Sequence, residues 1–277
     1  MKKDWQTAFV TGGGSGIGLY LAEKFLQAGL QVALFDLHFS QETQSRLSSI
    51  GGLGKYRTFA LDVRDGAAVE RCVSEAVQQL SSPDLALHCA GIQLAKPFES
   101  LSQEEFERVV STNLFGSRNF ASAVIPSMER GAHLAFVSSL SGLLPSYAYA
   151  AYNASKFGVV GLAGALRLEC KPRDIAVSVI CPGEVDTPMV VKELVTMHPV
   201  TRRMKDFVGT LTVNEACDEI LASLAKRKPL IIPGRRVRFS YFLARLFPGV
   251  TQRISEYMVI DTLKNHSALF GTEDRPG

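Results

Sequence analysis

Tyr152 and Lys156 stand four residues apart in Tyr152-Asn153-Ala154-Ser155-Lys156, and Ser139 lies thirteen residues upstream. In a helix, a spacing of four puts the phenol and the ammonium on one face, one turn apart. A free tyrosine titrates near pKa ~10, so at neutral pH it is a poor base. A neighbouring ammonium favours the phenolate and lowers that value, each unit being worth roughly 1.4 kcal/mol. The pair therefore suits moving a proton to or from an alcohol oxygen. Ser139, once the fold brings it near, suits holding that oxygen.

Such a pair needs a scaffold, and the N-terminal segment supplies its first piece. Apolar Thr7–Val10 runs into Thr11-Gly12-Gly13-Gly14-Ser15-Gly16-Ile17-Gly18, and a helical pattern follows to Gly29. Glycines 12, 16 and 18 make a Gly-x-x-x-Gly-x-Gly spacing, distinct from the more common dinucleotide fingerprint. Its physical use is the same: a tight turn, close backbone approach to a pyrophosphate, and tight packing of helix on strand. Amides at the helix start favour an anion. Gly14, Ser15 and Ile17 complete that loop.

Further apolar runs fall at Val32–Phe35, Tyr56–Leu61, Leu85–His88, Leu134–Val137, Ala176–Ile180 and Leu230–Ile232. Helical stretches separate them near 16–29, 66–80, 102–130, 150–170 and 213–226. Ser102-Gln103-Glu104-Glu105 reads as a capping box opening the 102–130 helix. Uninterrupted apolar strands alternating with helices predict an α/β fold, a doubly wound parallel sheet of about seven strands covered on both faces. Ligands on such a sheet bind beyond the carboxyl ends of its strands. The uncharged run from Gly131 to Ser155 is long enough for a membrane span. Its serines, Pro145, Asn153 and tyrosines fit a buried strand leading into a site better.

In motif order the chain resembles the short-chain dehydrogenase/reductase family, single-domain type, over about residues 6 to 233. The resemblance rests on Thr11 to Gly18, Asp62-Val63, Ala90-Gly91, Asn113, Ser139, Tyr152 with Lys156, and Pro182-Gly183 followed by Thr187. It implies a Rossmann-type nucleotide site and a hydride transfer to or from a nicotinamide. In that scheme Tyr152 is the acid/base, Ser139 orients the substrate oxygen, and Lys156 holds the nicotinamide ribose and depresses the tyrosine pKa. Asn113 positions a water that relays the proton. Asp62 and Val63 flank the adenine, Ala90 and Gly91 line the cofactor, and Pro182, Gly183, Val185 and Thr187 meet its nicotinamide end. The family commonly carries Asn-Asn-Ala-Gly after strand four, where this chain has His88-Cys89-Ala90-Gly91. Cys89 is the weaker hydrogen-bonding partner. His88 reads as a satisfied sheet residue. Glu184 reads as an exposed loop carboxylate.

Cofactor choice follows from charge. Asp36 ends the second strand, where an adenosine ribose would lie. A carboxylate there accepts from both ribose hydroxyls and repels a 2′-phosphate. Ser15 and Leu37 occupy positions where phosphate-binding relatives place a basic residue. NAD is expected over NADP.

At 277 residues, 46% apolar and 21% charged, the chain can bury one large core. Its five scattered cysteines lack metal-ligand spacing and read as thiols in a reducing cytoplasm, so no metal is expected. The glycine- and alanine-rich 150–170 helix allows close approach of another helix; by resemblance it joins a homodimer or homotetramer interface.

Residues 235–277 form an extension to the 1–234 nucleotide-binding and catalytic unit. Between Lys226 and Arg253 lie eight basic residues and no acidic ones, against a whole-chain charge of +3. Phe239, Phe242, Leu243 and Leu246 fall at i, i+3, i+4 and i+7, an amphipathic basic helix. It is expected to close the substrate cleft with its apolar side or to serve an oligomer contact, with a peripheral contact of 235–263 to anionic membrane as the other reading. No nucleic-acid reader motif appears. Leu143, Leu144, Tyr147, Met189 and Val190 suggest a pocket for a hydrophobic secondary alcohol or ketone, such as a steroid, a retinoid or an acyl-chain lipid. A non-catalytic protein sensing NAD(H), or acting as a scaffold on the same fold, is the alternative. It has no need of the proton-transfer residues.

Overall fold

The computed structural model describes residues 5–51, 55–190 and 197–270, so 271–277 of the extension lie outside it. Seven apolar runs become strands of one sheet: β1 (Thr7–Thr11), β2 (Gln31–Asp36), β3 (Tyr56–Ala60), β4 (Leu85–His88), β5 (His133–Val137), β6 (Ala176–Ile180) and β9 (Leu230–Ile231). Their order is β3-β2-β1-β4-β5-β6-β9, and every neighbouring pair is parallel. Two-residue β7 (Glu184–Val185) and β8 (Thr210–Leu211) pair separately.

The absence of polar alternation in the strands has a direct cause. Ala8, Val10, Val32 and Leu34 point into one core, while Phe9, Ala33 and Phe35 point into the other. Both faces are covered, so both sets must be apolar. Helices α1 (Gly16–Gln27), α2 (Gln41–Gly51) and α8 (Val213–Ala225) contribute to the first layer. Helices α3 (Gly66–Gln79), α5 (Gly116–Val124) and α6 (Ala150–Glu169) contribute to the second. There Phe35 stacks on Phe59 with ring centroids 5.1 Å apart and meets Phe9 and Phe120 edge-on. The strand order reverses at β1/β4, which opens the crevice where nucleotides bind in such sheets.

One expected helix is broken. The 102–130 stretch forms α4 (Gln103–Val110), capped by the predicted Ser102–Glu105 box, then a π-helical turn over Ser111–Phe115, then α5. Beside this turn Gly116 lies against the segment after β3, where a Cβ would come 2.7 Å from Val63. π-turns concentrate at functional sites, and this one carries Asn113. The uncharged 131–155 run is β5, a 3₁₀ turn at Leu140–Gly142 and the start of α6. Among the described residues no helix is long and apolar enough to cross a membrane.

The C-terminal part adds α7 (Pro199–Val208), α9 (Arg235–Leu246) and α10 (Pro248–Phe270). Val237 of α9 is buried against Gly183, and α10 is tied to α7 by Arg203–Asp261 at 2.6 Å. The orientation of α9 corrects the sequence expectation. Phe239, Phe242 and Leu246 are 64–68% exposed, and only Leu243 of that set turns towards the domain. The inward side of the helix is taken by Val237, Ser240, Tyr241 and Ala244.

At the end of β4, buried His88 has Nδ1 2.8 Å from the Thr11 hydroxyl and its ring stacked on Phe120, while Nε2 has no partner. Burial, assisted by the Lys156 charge, pushes its pKa down to about 3. An unfolded histidine titrates near ~6.5, so this neutral group stabilises fully above that pH and the contribution falls as pH drops towards the folded value. The loss at pH 5 is about 2 kcal/mol. Urea midpoints at about pH 7.5 and pH 5 should therefore converge in His88→Asn relative to wild type.

Candidate active site

Helix α6 brings Tyr152 and Lys156 to the carboxyl edge of β5, both almost fully buried at 7% and 5% exposure. Lys156 Nζ donates to the Val137 carbonyl at 3.0 Å and lies 5.6 Å from the Tyr152 ring centroid. Burial lowers the Lys156 pKa to about 8. The Ser138 hydroxyl donates to the Lys156 carbonyl at 2.9 Å, and a Cβ on Gly142 would sit 2.6 Å from that same oxygen. The 3₁₀ turn is thus pressed onto α6, which fixes Ser139. Its Oγ accepts from the Ser141 N–H at 3.1 Å and faces the Tyr152 phenol, whose pKa it acts to lower.

The electrostatics add a residue to the site. Burial raises the Tyr152 pKa; the Ser139 hydrogen bond and the charge of Lys205 act in the other direction. Lys205 is therefore a second cation beside the phenol, in addition to Lys156 at 5.6 Å from the ring centroid. Lys205 lies 3.0 Å from Glu184 and 5.6 Å from the centroid of Tyr149, whose ring packs on Tyr152. Glu184, expected in solvent, has a side chain only 3% exposed. Burial alone would raise its pKa, but the Thr210 hydroxyl at 2.6 Å, Lys205 and Arg202 hold it below the usual range. Neither Lys205 nor the burial of Glu184 has a sequence signal. Both depend on α7 folding back over the segment after β6.

Asn113 acts as a bracket. Its Oδ1 accepts from Ile92 N–H at 2.8 Å, and its Nδ2 donates to the Ile92 carbonyl and to Ser155 Oγ, each at 2.9 Å. It ties the loop after β4 to α6. On the other side of that loop, the Thr11 hydroxyl accepts from the amides of Cys89 and Ala90 at 3.2 and 3.3 Å. Cys89 itself is a half-buried thiol whose pKa desolvation raises. Nothing in the sequence singles out Thr11 for this bracing role, since a threonine ending a strand is unremarkable.

The glycine loop leaves no room for side chains. Gly12 has φ +64°, and its Cβ would meet the Ala90 nitrogen at 2.7 Å; a Cβ on Gly18 would meet the Gly12 carbonyl oxygen at 2.2 Å. Ser15 precedes α1 without capping it through its side chain, leaving the first-turn amides for an anion. Asp36 accepts from Gly14 N–H at 2.8 Å. These features fit a dinucleotide.

One cavity of about 580 Å³ unites the predicted residues. Gly12, Ser15, Gly16, Ile17, Gly18, Asp36, Asp62, Val63, Ala90 and Gly91 line one part; Ser139, Tyr152, Lys156, Pro182, Gly183, Val185 and Thr187 line the rest. Gly14 and Asn113 stand behind the wall. Of the apolar candidates, Leu144, Met189 and Val190 reach the cavity. Leu143 packs on the core and Tyr147 on His198. Leu243, Ile254 and Met258 of the extension complete the apolar end. Among the described residues no cluster of metal ligands occurs and all five cysteines are free.

Residues 6–197 match the short chain dehydrogenase family. The chain belongs to that family. A 3-ketodihydrosphingosine reductase of Bos taurus is 33% identical over 219 residues, covering 76% of this chain and 66% of that protein. A 3-dehydrosphinganine reductase of Arabidopsis thaliana is 35% identical over 214 residues, covering 75% and 63%. The chain thus spans just under two-thirds of the length of these relatives. A short chain dehydrogenase/reductase from Burkholderia phymatum in complex with NAD superposes with a TM-score of 0.78 at 23% identity, covering 91% of this chain and 96% of that one, a likeness of fold.

Removing the second cation should leave the phenol harder to ionise. In Lys205→Met the Tyr152 resonance of ring-labelled tyrosine should titrate at higher pH than in wild type, and in Lys205→Arg close to it. An unchanged titration in Lys205→Met would remove Lys205 from the electrostatics of the site.

Proposed function

We propose that the protein is an NAD(H)-dependent oxidoreductase interconverting a hydrophobic ketone and its secondary alcohol, the substrate being an acyl-chain lipid. The observation that carries this reading is the placement of Tyr152, Ser139 and Lys156 at the junction of a glycine-walled end and an apolar end of one cavity. A non-catalytic binding protein has no use for a buried phenol set beside a serine and a lysine there.

The bound nicotinamide would supply or accept the hydride. The chain does the rest. In reduction, the Ser139 hydroxyl holds the ketone oxygen and the Tyr152 phenol gives it a proton as hydride reaches the carbonyl carbon; oxidation runs the same steps backwards. Lys156 would hold the ribose hydroxyls, and Asn113 keeps Ile92 and α6 in register beside them. Asp36, at the mouth beside exposed Leu37, would accept from the adenosine ribose, which supports NAD over NADP. Leu144, Met189, Leu243 and Met258 suit an alkyl chain, and the names of the two reductases above favour a long-chain keto lipid over a steroid or retinoid. Self-association belongs to the same reading: Phe157 and Leu168 stand exposed on the outer side of α6.

Incubation with 3-ketodihydrosphingosine should consume NADH, followed by its absorbance. Tyr152→Phe should lose about two to four orders of magnitude in turnover while binding NADH normally by fluorescence. Near-normal turnover in that variant would remove the acid/base assignment, and no turnover on any keto lipid would favour the binding-protein alternative.

Cofactor preference is tested separately. Asp36→Ala should narrow the NADH/NADPH ratio of kcat/KM, and Leu37→Arg should move it further towards NADPH. A wild type that uses both equally would show the charge argument to be wrong.

A further inference from the structure

The site accounts for the inward side of α9 and α10 but not for their outward side. On α9, Phe239, Phe242 and Leu246 repeat at i, i+3 and i+7 and are 68%, 64% and 65% exposed. Phe247 and Val250 at the corner and Tyr257 and Ile260 on α10 continue the patch, each more than half exposed. Single exposed apolar residues are ordinary, but large ones repeated at helical spacing on each of two adjoining helices mark an interaction surface.

Charge identifies the partner. From Arg235 to Phe270 there are five arginines and one lysine against two acidic residues, Glu256 and Asp261, and Asp261 is paired with Arg203. Arg238 is paired with Glu219; Arg235, Arg236, Arg245 and Arg253 have no ion pair among the described residues. Arg235 and Arg245 project from the same helix as the aromatic stripe. Bulky aromatic and aliphatic side chains flanked by uncompensated arginines are what the interface of an anionic bilayer accommodates. The position of the patch adds a third observation. Ile254 both lines the cavity and is 42% exposed, so the apolar end of the cavity reaches the patch itself.

We propose that α9 and α10 dock the protein on an anionic lipid surface through Phe239, Phe242, Leu246, Val250 and Tyr257, with the substrate cavity opening beside that contact. A lipid-soluble ketone then passes from the bilayer to Tyr152 along Ile254, Met258 and Leu243 without crossing water. This deepens the hydrophobic-substrate reading, yet docking is measured without turnover, so the two can fail separately.

The full chain is sedimented with vesicles of phosphatidylcholine alone and with about one-third phosphatidylglycerol, at low and high salt. Binding to the anionic vesicles at low salt is expected, weakened by salt. Phe239→Ser/Phe242→Ser should reduce the partition coefficient at least about tenfold, and each of Arg235→Gln, Arg245→Gln and Arg253→Gln by about fivefold. None of these residues lines the cavity, so unaltered NADH binding and an unaltered melting curve check that the variants are folded. Wild-type protein that is folded and stays in the supernatant overturns the proposal. So does binding unaffected by the serine substitutions. A solution dimer that Phe242→Ser dissociates, in protein that ignores vesicles, assigns the patch to a second copy and also overturns it.

Discussion

The constraint on which the site depends is an ammonium buried without a carboxylate. Lys156 is 5% exposed, and among its described contacts it donates to the Val137 carbonyl. A buried cation needs either a counter-ion or a lowered pKa, and burial takes this one down to about 8. A carboxylate there would hold the lysine away from a ligand. A carbonyl at the end of a strand fixes its position while leaving its other protons available. The surroundings serve that placement. Ser138 bonds the lysine's own carbonyl, Gly142 lets the turn close onto it, and Gly91, whose Cβ would lie 3.4 Å from Nζ, keeps the opposite side open.

The second requirement is that β1 and β4 end at the same height and stay apart by a fixed amount. Here the work falls to Thr11, whose hydroxyl bonds His88 and accepts from the Cys89 and Ala90 amides. That arrangement explains how the chain accommodates Cys89, a weak hydrogen-bonding partner, at this position. The backbone there is braced from the neighbouring strand, and Asn113 braces the next residues from the π-turn. Widening the helix by one residue at Ser111–Phe115 lets Asn113 face the loop while Gly116 still packs on Val63. A regular helix would have to give up one contact or the other.

What the sequence makes legible follows from which interactions are local. Strands buried on both faces must be apolar throughout, so the seven runs and the seven strands agree to within a residue or so at each end. Tyr152 and Lys156 are related by helical geometry alone, and the capping box at Ser102 spans one turn. The π-turn was not legible, because nothing in Ser111–Phe115 differs from ordinary helix in composition. Glu184 and Lys205 are twenty-one positions apart in sequence and meet only because α7 crosses the pocket. The extension was half legible: periodicity showed that α9 is amphipathic, but periodicity does not say which face the protein covers.

Why α9 turns its largest apolar residues outward can be argued from its inward contacts. Gly183, in the segment that closes over the site, would bring a Cβ to 2.9 Å from Val237, and Gly234 enters the helix with φ +89° beside Leu211. Arg238 holds this end through Glu219 and the Ile232 carbonyl. Val237 sits where the approach of Gly183 is closest, and Ser240 and Ala244 are small where the helix borders the cavity. A phenylalanine on that side would either displace the Pro182–Gly183 segment or fill the space a substrate needs. The helix therefore sets Val237, Ser240 and Ala244 against the active-site segment and cavity, with Tyr241 and Leu243 beside them, and Phe239, Phe242 and Leu246 are left at the surface by the same fit. The wall of the pocket and the exposed patch are two sides of one helix, set by Gly183 and Val237.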